Sequence, residues 1–276
     1  MKLLVGITLL SREYKANKGV LAKSISNISN DCKLLNVPVD FVFVEQSEDV
    51  FSELSDEYLY DNMQIVKTNY CSISNARNIL IDHAKSNFYD YIIFHDVSIF
   101  FPKHSVKFLL ENVVHGITPK LKVFFGDVEG DVGGSKDKSR RIIPFYDPYI
   151  WSYLIKVKDI HSIFDLDLGP GVDTKYKSGE DVLFLYQYFS AIGSFDVIES
   201  GSKKVYHPKR LDDYSKHLLY SKGQGALYRR VFKMRVEPYV YLCIFIFFLN
   251  AIRRVVLLKK NSIKILLNRV NGFFYE

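Results

Sequence analysis

The chain has 276 residues, 48% of them hydrophobic and 15% aromatic, which is ample for a sizeable core and excludes a disordered protein. Its net charge of +6 is unevenly placed: of 37 basic and 31 acidic residues, 16 and 4 fall in residues 201–276, leaving 21 and 27 in residues 1–200. Three widely spaced cysteines, Cys32, Cys71 and Cys243, make neither a disulfide framework nor a zinc pattern and fit free thiols in a reducing compartment.

The apolar run Lys2–Leu10 is short and is followed by Ser11-Arg-Glu-Tyr-Lys15, with no small-residue cleavage site. It predicts a buried first strand in a cytoplasmic protein. Val20, Leu21, Ser24, Ile25 and Ile28 recur at helical spacing, so a helix is expected over Asn17–Asn30. A second strand, Val39–Val44, ends at Glu45-Gln46-Ser47, and a short third covers Gln64–Lys67. Ser72–Lys85 reads as a helix with Ser72 or Ser74 as its N-cap. The strand Tyr91–Phe94 then runs into the polar turn His95-Asp96-Val97-Ser98. Strands and helices alternating in this order imply right-handed crossovers and a mostly parallel α/β sheet, Rossmann-like, flanked by helices.

Further on, a helix is expected over Lys103–Asn112, a strand over Leu121–Phe125, a mobile loop over the glycine-rich Gly126–Arg141, and a strand over Tyr149–Val157. The turn-dense Phe164–Gly171 leads to Ser178-Gly-Glu-Asp181, from which an apolar helix runs to about Ile192. Phe195–Ser200 is a strand, and Lys204–Pro208 closes the globular part. The chain thus divides into a domain over 1–215 and a basic, apolar helical tail over 216–276. Within that tail Tyr239–Leu249 is almost wholly apolar, but Asn250, Arg253 and Arg254 interrupt it before the ~20 residues a span requires. Lys259, Lys260, Lys264 and Arg269 follow. An interfacial helix on an anionic membrane surface fits that pattern, with a buried core helix as the plainer reading. The basic segment carries no recognisable nucleic-acid motif, so no nucleic-acid partner is expected.

Four places could carry chemistry. Asp96 stands at the carboxyl end of a buried strand, where open α/β sheets place ligands, although a lone Asp there is equally a turn former. Glu180 and Asp181 open an apolar helix, near the positive end of its dipole; they suit a general base or a plain N-terminal charge preference. His207, in Tyr206-His-Pro208, is an ordinary half-buried residue unless it converges on Asp96 to complete a metal site. Arg77-Asn78 could turn a planar fork toward a nucleotide or form a surface ion pair.

In their order along the chain these segments resemble bacterial family-2-like glycosyltransferases of the GT-A fold that build surface polysaccharides. The likeness runs from residue 1 to about 235. Glu45 matches an acid that holds the nucleoside; Asn75-Ala-Arg77-Asn78 matches a Ser-x-x-x-Arg-Asn motif; Asp96-Val97-Ser98 matches the Asp-x-Asp metal motif in position. Phe164-Asp165, Gly169-Pro-Gly171, Lys175-Tyr176 and Ser178-Gly-Glu-Asp181 match the acceptor-side segment, with Val205-Tyr-His207-Pro208 and Tyr220-x-x-Gly223-x-Gly225-Ala226 beyond it.

The resemblance implies an inverting transferase that takes a sugar from a nucleotide-sugar donor to a lipid-linked or oligosaccharide acceptor at the inner face of the bacterial cytoplasmic membrane. Thr8, Glu45, Arg77, Asn78 and Asp96 would bind the donor, and Asp181 with Glu180 would be catalytic. A divalent cation, Mn2+ or Mg2+, would be held by Asp96, Ser98 and His207. Ser98 replaces the family's second Asp with a neutral, weaker ligand. A degenerate nucleotide-binding domain and a nucleotidyltransferase are the alternatives.

Overall fold

A computed structural model describes residues 1–46, 62–126, 136–209, 214–234 and 238–275. Ser47, at the expected end of the second strand, lies outside them. Five strands form the main sheet: β1 (Leu3–Leu9), β2 (Val39–Gln46), β3 (Met63–Thr68), β4 (Tyr91–Asp96) and the two-residue β7 (Ile155–Lys156), in the order β3-β2-β1-β4-β7. The first four are parallel, while β7 runs antiparallel to β4. The apolar runs of β1, β2 and β4 are continuous because both faces are covered, whereas the edge strand β3 leaves Gln64 and Lys67 exposed. Leu3, Val5, Ile7, Phe41, Phe43 and Ile93 face a core with α1 (Ser11–Leu34) and α3 (Ser105–Glu111). Leu4, Val42, Val44, Ile92 and Phe94 face the other way, onto α2 (Ile73–Ser86) and α4 (Glu180–Ile192). Parallel register sets Thr8 opposite Asp96 and Leu9 opposite Glu45, so the polar strand ends gather on one rim of the sheet.

A second sheet has the order β5-β8-β6, with β5 (Thr118–Phe125), β6 (Lys138–Arg141) and the long β8 (Asp196–His207). Here the chain departs from its pattern twice. The end of the expected Gly126–Arg141 loop is strand β6, antiparallel to β8; residues 127–135 of that stretch lie outside the described residues. Tyr149–Val157, expected as a strand, is a 3-10 turn at Ile150–Ser152, the short β7 and a second 3-10 turn at Val157–Asp159. The two segments expected at Phe195–Ser200 and Lys204–Pro208 are one strand, β8. Lys120 from β5 and Arg140 from β6 meet Asp147 and Glu199 in a four-charge cluster, with Lys120 Nζ 2.5 Å from Glu199 and Arg140 bidentate on Asp147 at 3.0 and 2.9 Å. Its charges balance, as burial requires.

Three helices close the chain: α5 (Tyr214–Lys233), α6 (Pro238–Val256) and α7 (Ser262–Phe274). The division expected at 215/216 falls within α5. A Cβ on Gly225 would lie 2.2 Å from the Arg269 carbonyl, and one on Gly272 2.1 Å from that of Lys222, so α5 and α7 cross backbone to backbone. Gly223 brings α5 close to Ser178, just ahead of α4, where a Cβ would lie 2.8 Å from the Ser178 hydroxyl.

Candidate active site

The rim of the main sheet opens into a cleft of about 860 Å³, within the range that takes a drug-sized ligand. Thr8, Gln46, Asp96 and Ser98 line it from the strand ends, Glu13 and Asn17 from α1, and Pro170, Gly171 and Lys177 from the turn-dense segment. That last wall is built by hydrogen bonds to the start of α2. Ser72 caps the helix, its hydroxyl accepting from the Asn75 N–H at 3.3 Å. Ser74 Oγ donates to the Leu168 carbonyl (2.6 Å), the Ile73 N–H to the Pro170 carbonyl (3.1 Å), and the Cys71 N–H to Asp173 (2.7 Å). Gly171 has φ +148°, and a Cβ there would sit 2.2 Å from the Cys71 carbonyl. Gly171→Ala should therefore cost on the order of 2–3 kcal/mol, read as a lowered Tm and weaker ligand binding in the cleft.

Below this wall, Arg77 is only 1% exposed. Its guanidinium donates to Asp181 through Nη1, with Glu180 Oε1 at 3.9 Å from the same nitrogen, and to Asp96 Oδ1 through Nη2 at 3.4 Å. Thr8 Oγ1 donates to the same Asp96 oxygen at 3.1 Å. One cation thus joins the strand-end acid to the acids at the start of α4, residues separated by 85 positions of sequence. Burial opposes the charge of Arg77, but Asp181, Asp96 and Glu180 outweigh it and hold the guanidinium ionised. Burial also raises both carboxyls above the ordinary range, Glu180 further through Asp181 and Asp181 further through Asp96, while Arg77 pulls both back. The backbone of Ile150 also pulls Asp181 down.

The remaining expected residues are placed as follows. Arg77, expected to grip the nucleoside, lies behind the cleft because three acids hold it there. Asn78, also expected at the donor, spends both ends of its amide on Phe164: Nδ2 donates to the carbonyl (2.9 Å) and Oδ1 accepts from the N–H (2.7 Å). It fixes the segment that carries the wall. Glu45 is buried at the end of β2, and its neighbour Gln46 lines the cleft. His207 is outside the cleft lining; its Nδ1 lies 2.7 Å from the Pro208 carbonyl, and its ring packs against Phe125 and Trp151.

The cation set expected of Asp96, Ser98 and His207 does not fit a metal ion on these contacts. Oδ1 of Asp96 is already taken by Arg77 and Thr8, His207 lies outside the cleft lining, and Ser98 adds only a neutral hydroxyl. Among the described residues no group of three or more His, Cys, Asp or Glu is placed to hold one. Lys177 was not singled out from the sequence, yet it is the one cationic side chain among the described cleft-lining residues. Its Nζ donates to the carbonyls of Gly171 (2.7 Å) and Thr174 (2.6 Å). Its position between Tyr176 and Ser178, beside the two acids, was the available signal.

Comparison with solved structures bears on what such a site belongs to. A structure of S. aureus TarS 1–349 with UDP-GlcNAc is 16% identical, with a TM-score of 0.57, covering 100% of this chain and 73% of that one. Another structure of S. aureus TarS 1–349 gives 15% and 0.55 over 100% and 72%, and the complex with UDP 13% and 0.52 over 99% and 89%. The fold is that of the GT-A glycosyltransferases. No family model and no curated protein matches the chain. At this identity the likeness establishes the GT-A architecture, and the residues must carry any argument about chemistry.

Proposed function

We propose that this protein transfers a glycosyl group from a nucleoside diphosphate sugar to a hydroxyl acceptor, with inversion. The observation that carries the reading is the Arg77 bridge, which sets the carboxylate of Asp96 at the cleft and that of Asp181 behind it around one guanidinium. Neighbours of the same fold carry UDP-GlcNAc and UDP, so a uridine diphosphate sugar is the donor class to try first. The diphosphate would lie along the strand ends, where Lys177 and the wall's backbone face the charge that builds on the leaving oxygen. Asp181, held by Arg77, takes the acceptor's proton as its oxygen bonds to the anomeric carbon. The bond from that carbon to the diphosphate breaks, and the nucleoside diphosphate leaves with the electron pair.

The test is calorimetry with UDP and a panel of UDP-sugars, paired with an assay for UDP release, each with and without Mn2+. Asp96→Ala should weaken UDP binding at least about tenfold, because Thr8 and Arg77 lose the oxygen that orders this rim. Unchanged affinity would place the nucleotide elsewhere, and release of pyrophosphate in place of UDP would favour a nucleotidyltransferase.

The tail supports a membrane-bound acceptor. Among the described residues α6 is the one helix long and apolar enough to cross a membrane by length and composition. Leu242, Phe245, Leu249, Ile252 and Val256, spaced by three and four, are 48–74% exposed and form one stripe. Phe247 and Phe248 instead face inward, stacking on Tyr228 at 3.9 Å and packing on Phe273 at 5.4 Å. With Arg253, Arg254, Lys259 and Lys260 close by, the stripe suits the interface of an anionic bilayer. Removing 236–276 would strip α7 from α5, so point changes are the better probe. Leu249→Asp with Ile252→Asp should abolish sedimentation with phosphatidylglycerol vesicles and leave UDP affinity unchanged; continued sedimentation would assign the stripe another role.

A further inference from the structure

His95 is fully buried, with both ring nitrogens in hydrogen bonds: Nδ1 lies 2.8 Å from the Asp96 carbonyl oxygen and Nε2 2.8 Å from Ser24 Oγ on α1. Alternation along β4 turns this ring toward α1, with Tyr91 and Ile93, while the Asp96 side chain points the other way, to Arg77.

The polarity of these bonds is fixed. A carbonyl oxygen only accepts, so Nδ1 carries the proton and donates to Asp96. A buried neutral ring has one N–H, which leaves Nε2 to accept from the Ser24 hydroxyl. Ser24 Oγ in turn accepts from the Phe101 N–H at 3.1 Å. One imidazole and one hydroxyl thereby hold both ends of the turn from Asp96 to Phe101, its first carbonyl and its last N–H. Asn27, further along α1, donates to the Phe101 carbonyl at 3.0 Å, and the His95 and Phe101 rings pack at 5.2 Å. The Ile99 N–H, donating to the Asp96 carbonyl at 2.9 Å, closes the turn on itself, whereas the bonds of His95, Ser24 and Asn27 tie it to α1. Asp96, Val97 and Ser98 of this turn line the cleft, and His95 does not.

We propose that His95 is a positioning residue for the nucleotide: without touching it, the Nδ1–H bond fixes the main chain of Asp96 and so the rim of Asp96, Val97 and Ser98 along which the diphosphate lies. This rests on the reading that a nucleoside diphosphate occupies the cleft. Thr8 and Arg77 hold Asp96 at its carboxylate, and His95 holds the same residue at its carbonyl from the opposite face of the sheet. A rim fixed at both places has little freedom left to lose when the ligand arrives, which is the gain that preorganisation brings to binding.

Two amide variants separate the two bonds of the ring. In His95→Asn the amide nitrogen falls where Nδ1 stood and still donates to the Asp96 carbonyl, but the contact with Ser24 is lost. In His95→Gln the amide oxygen falls near the place of Nε2 and accepts from Ser24, but the Asp96 bond is lost. A histidine that only filled the core would make UDP affinity fall in step with Tm in both. Calorimetry with UDP on the full chain should instead give an affinity within about twofold of the unaltered protein for His95→Asn and at least about fivefold weaker for His95→Gln, with Tm lowered in both. Equal losses, a loss confined to His95→Asn, or no loss in either would overturn the proposal.

A second measurement uses the unaltered chain and holds even where one variant does not fold. With 15N-labelled histidine, NMR should show that one of the seven histidines is a neutral ring protonated at Nδ1, assigned by its absence from whichever variant folds. Saturating UDP should shift that resonance. A proton on Nε2, or a resonance that UDP leaves in place, would also overturn the proposal. Failure of the unaltered protein to bind UDP at all would instead remove the glycosyl-transfer reading, and this inference with it.

Discussion

Asp181→Asn should lower glycosyl transfer by about 10²–10⁴-fold, the usual contribution of a general base, while UDP affinity changes little. Asparagine keeps the shape of the side chain and an oxygen to accept from Arg77, so the fold around α4 should survive. What it loses is a site for the acceptor's proton. Burial has already raised the Asp181 carboxyl above the ordinary range, which makes the carboxylate a stronger base than an exposed one. Transfer by the unaltered enzyme should accordingly rise with pH through a limb that lies above the usual carboxylate region, and that limb should vanish in the variant. UDP release and calorimetry on the two proteins give the answer. Turnover that survives in Asp181→Asn but fails in Glu180→Gln would move the role one residue, to the acid whose Oε1 lies 3.9 Å from Arg77.

Much of this site was readable before any coordinates, because its carboxylates stand where short-range rules put them. Asp96 ends a buried strand, and Glu180 and Asp181 open an apolar helix; both are local signals. Ser72 was one of two proposed caps, and the hydrogen bond to Asn75 selects it. The Arg77 bridge was not readable, since it joins side chains from three elements and no periodicity encodes a tertiary contact. Strand β6 was hidden for another reason. Lys138, Ser139 and Arg141 carry charge or polarity on an edge strand, where solvated side chains mimic a loop. At Tyr149–Val157 the error ran the other way. The segment is apolar because it is buried, and burial alone does not distinguish a strand from a tight turn. Here the Tyr149 and Ile150 carbonyls accept from Ser152 and Tyr153, and the Tyr153 hydroxyl reaches the Asp147 carbonyl at 2.9 Å, which winds the chain up.

Removing the bridging cation should be the most damaging single change to stability. Arg77→Met keeps a long apolar stem but leaves Asp96, Glu180 and Asp181 facing one another, and stranding buried charge typically costs about 3–5 kcal/mol. The loss should depend on pH, with a sign fixed by the carboxyls. Those of Glu180 and Asp181 are raised in the folded chain, so above the ordinary carboxylate range the folded state binds more protons than the unfolded one. Stability from these groups is then present at low pH and falls as pH climbs through the raised values. Without Arg77 the largest downward pull on the two carboxyls is lost, so their proton uptake on folding grows. The Tm deficit of Arg77→Met should be large at pH 8 and should shrink toward pH 5, as protons neutralise the acids that the guanidinium had balanced. Arg77→Lys, which keeps the charge but not the fork, should recover part of the Tm at pH 8 and little of the transfer activity, because an ammonium cannot hold Asp96 and Asp181 at once. A deficit for Arg77→Met that is the same at both pH values would mean that its cost is lost packing, and that the guanidinium does not balance these carboxylates.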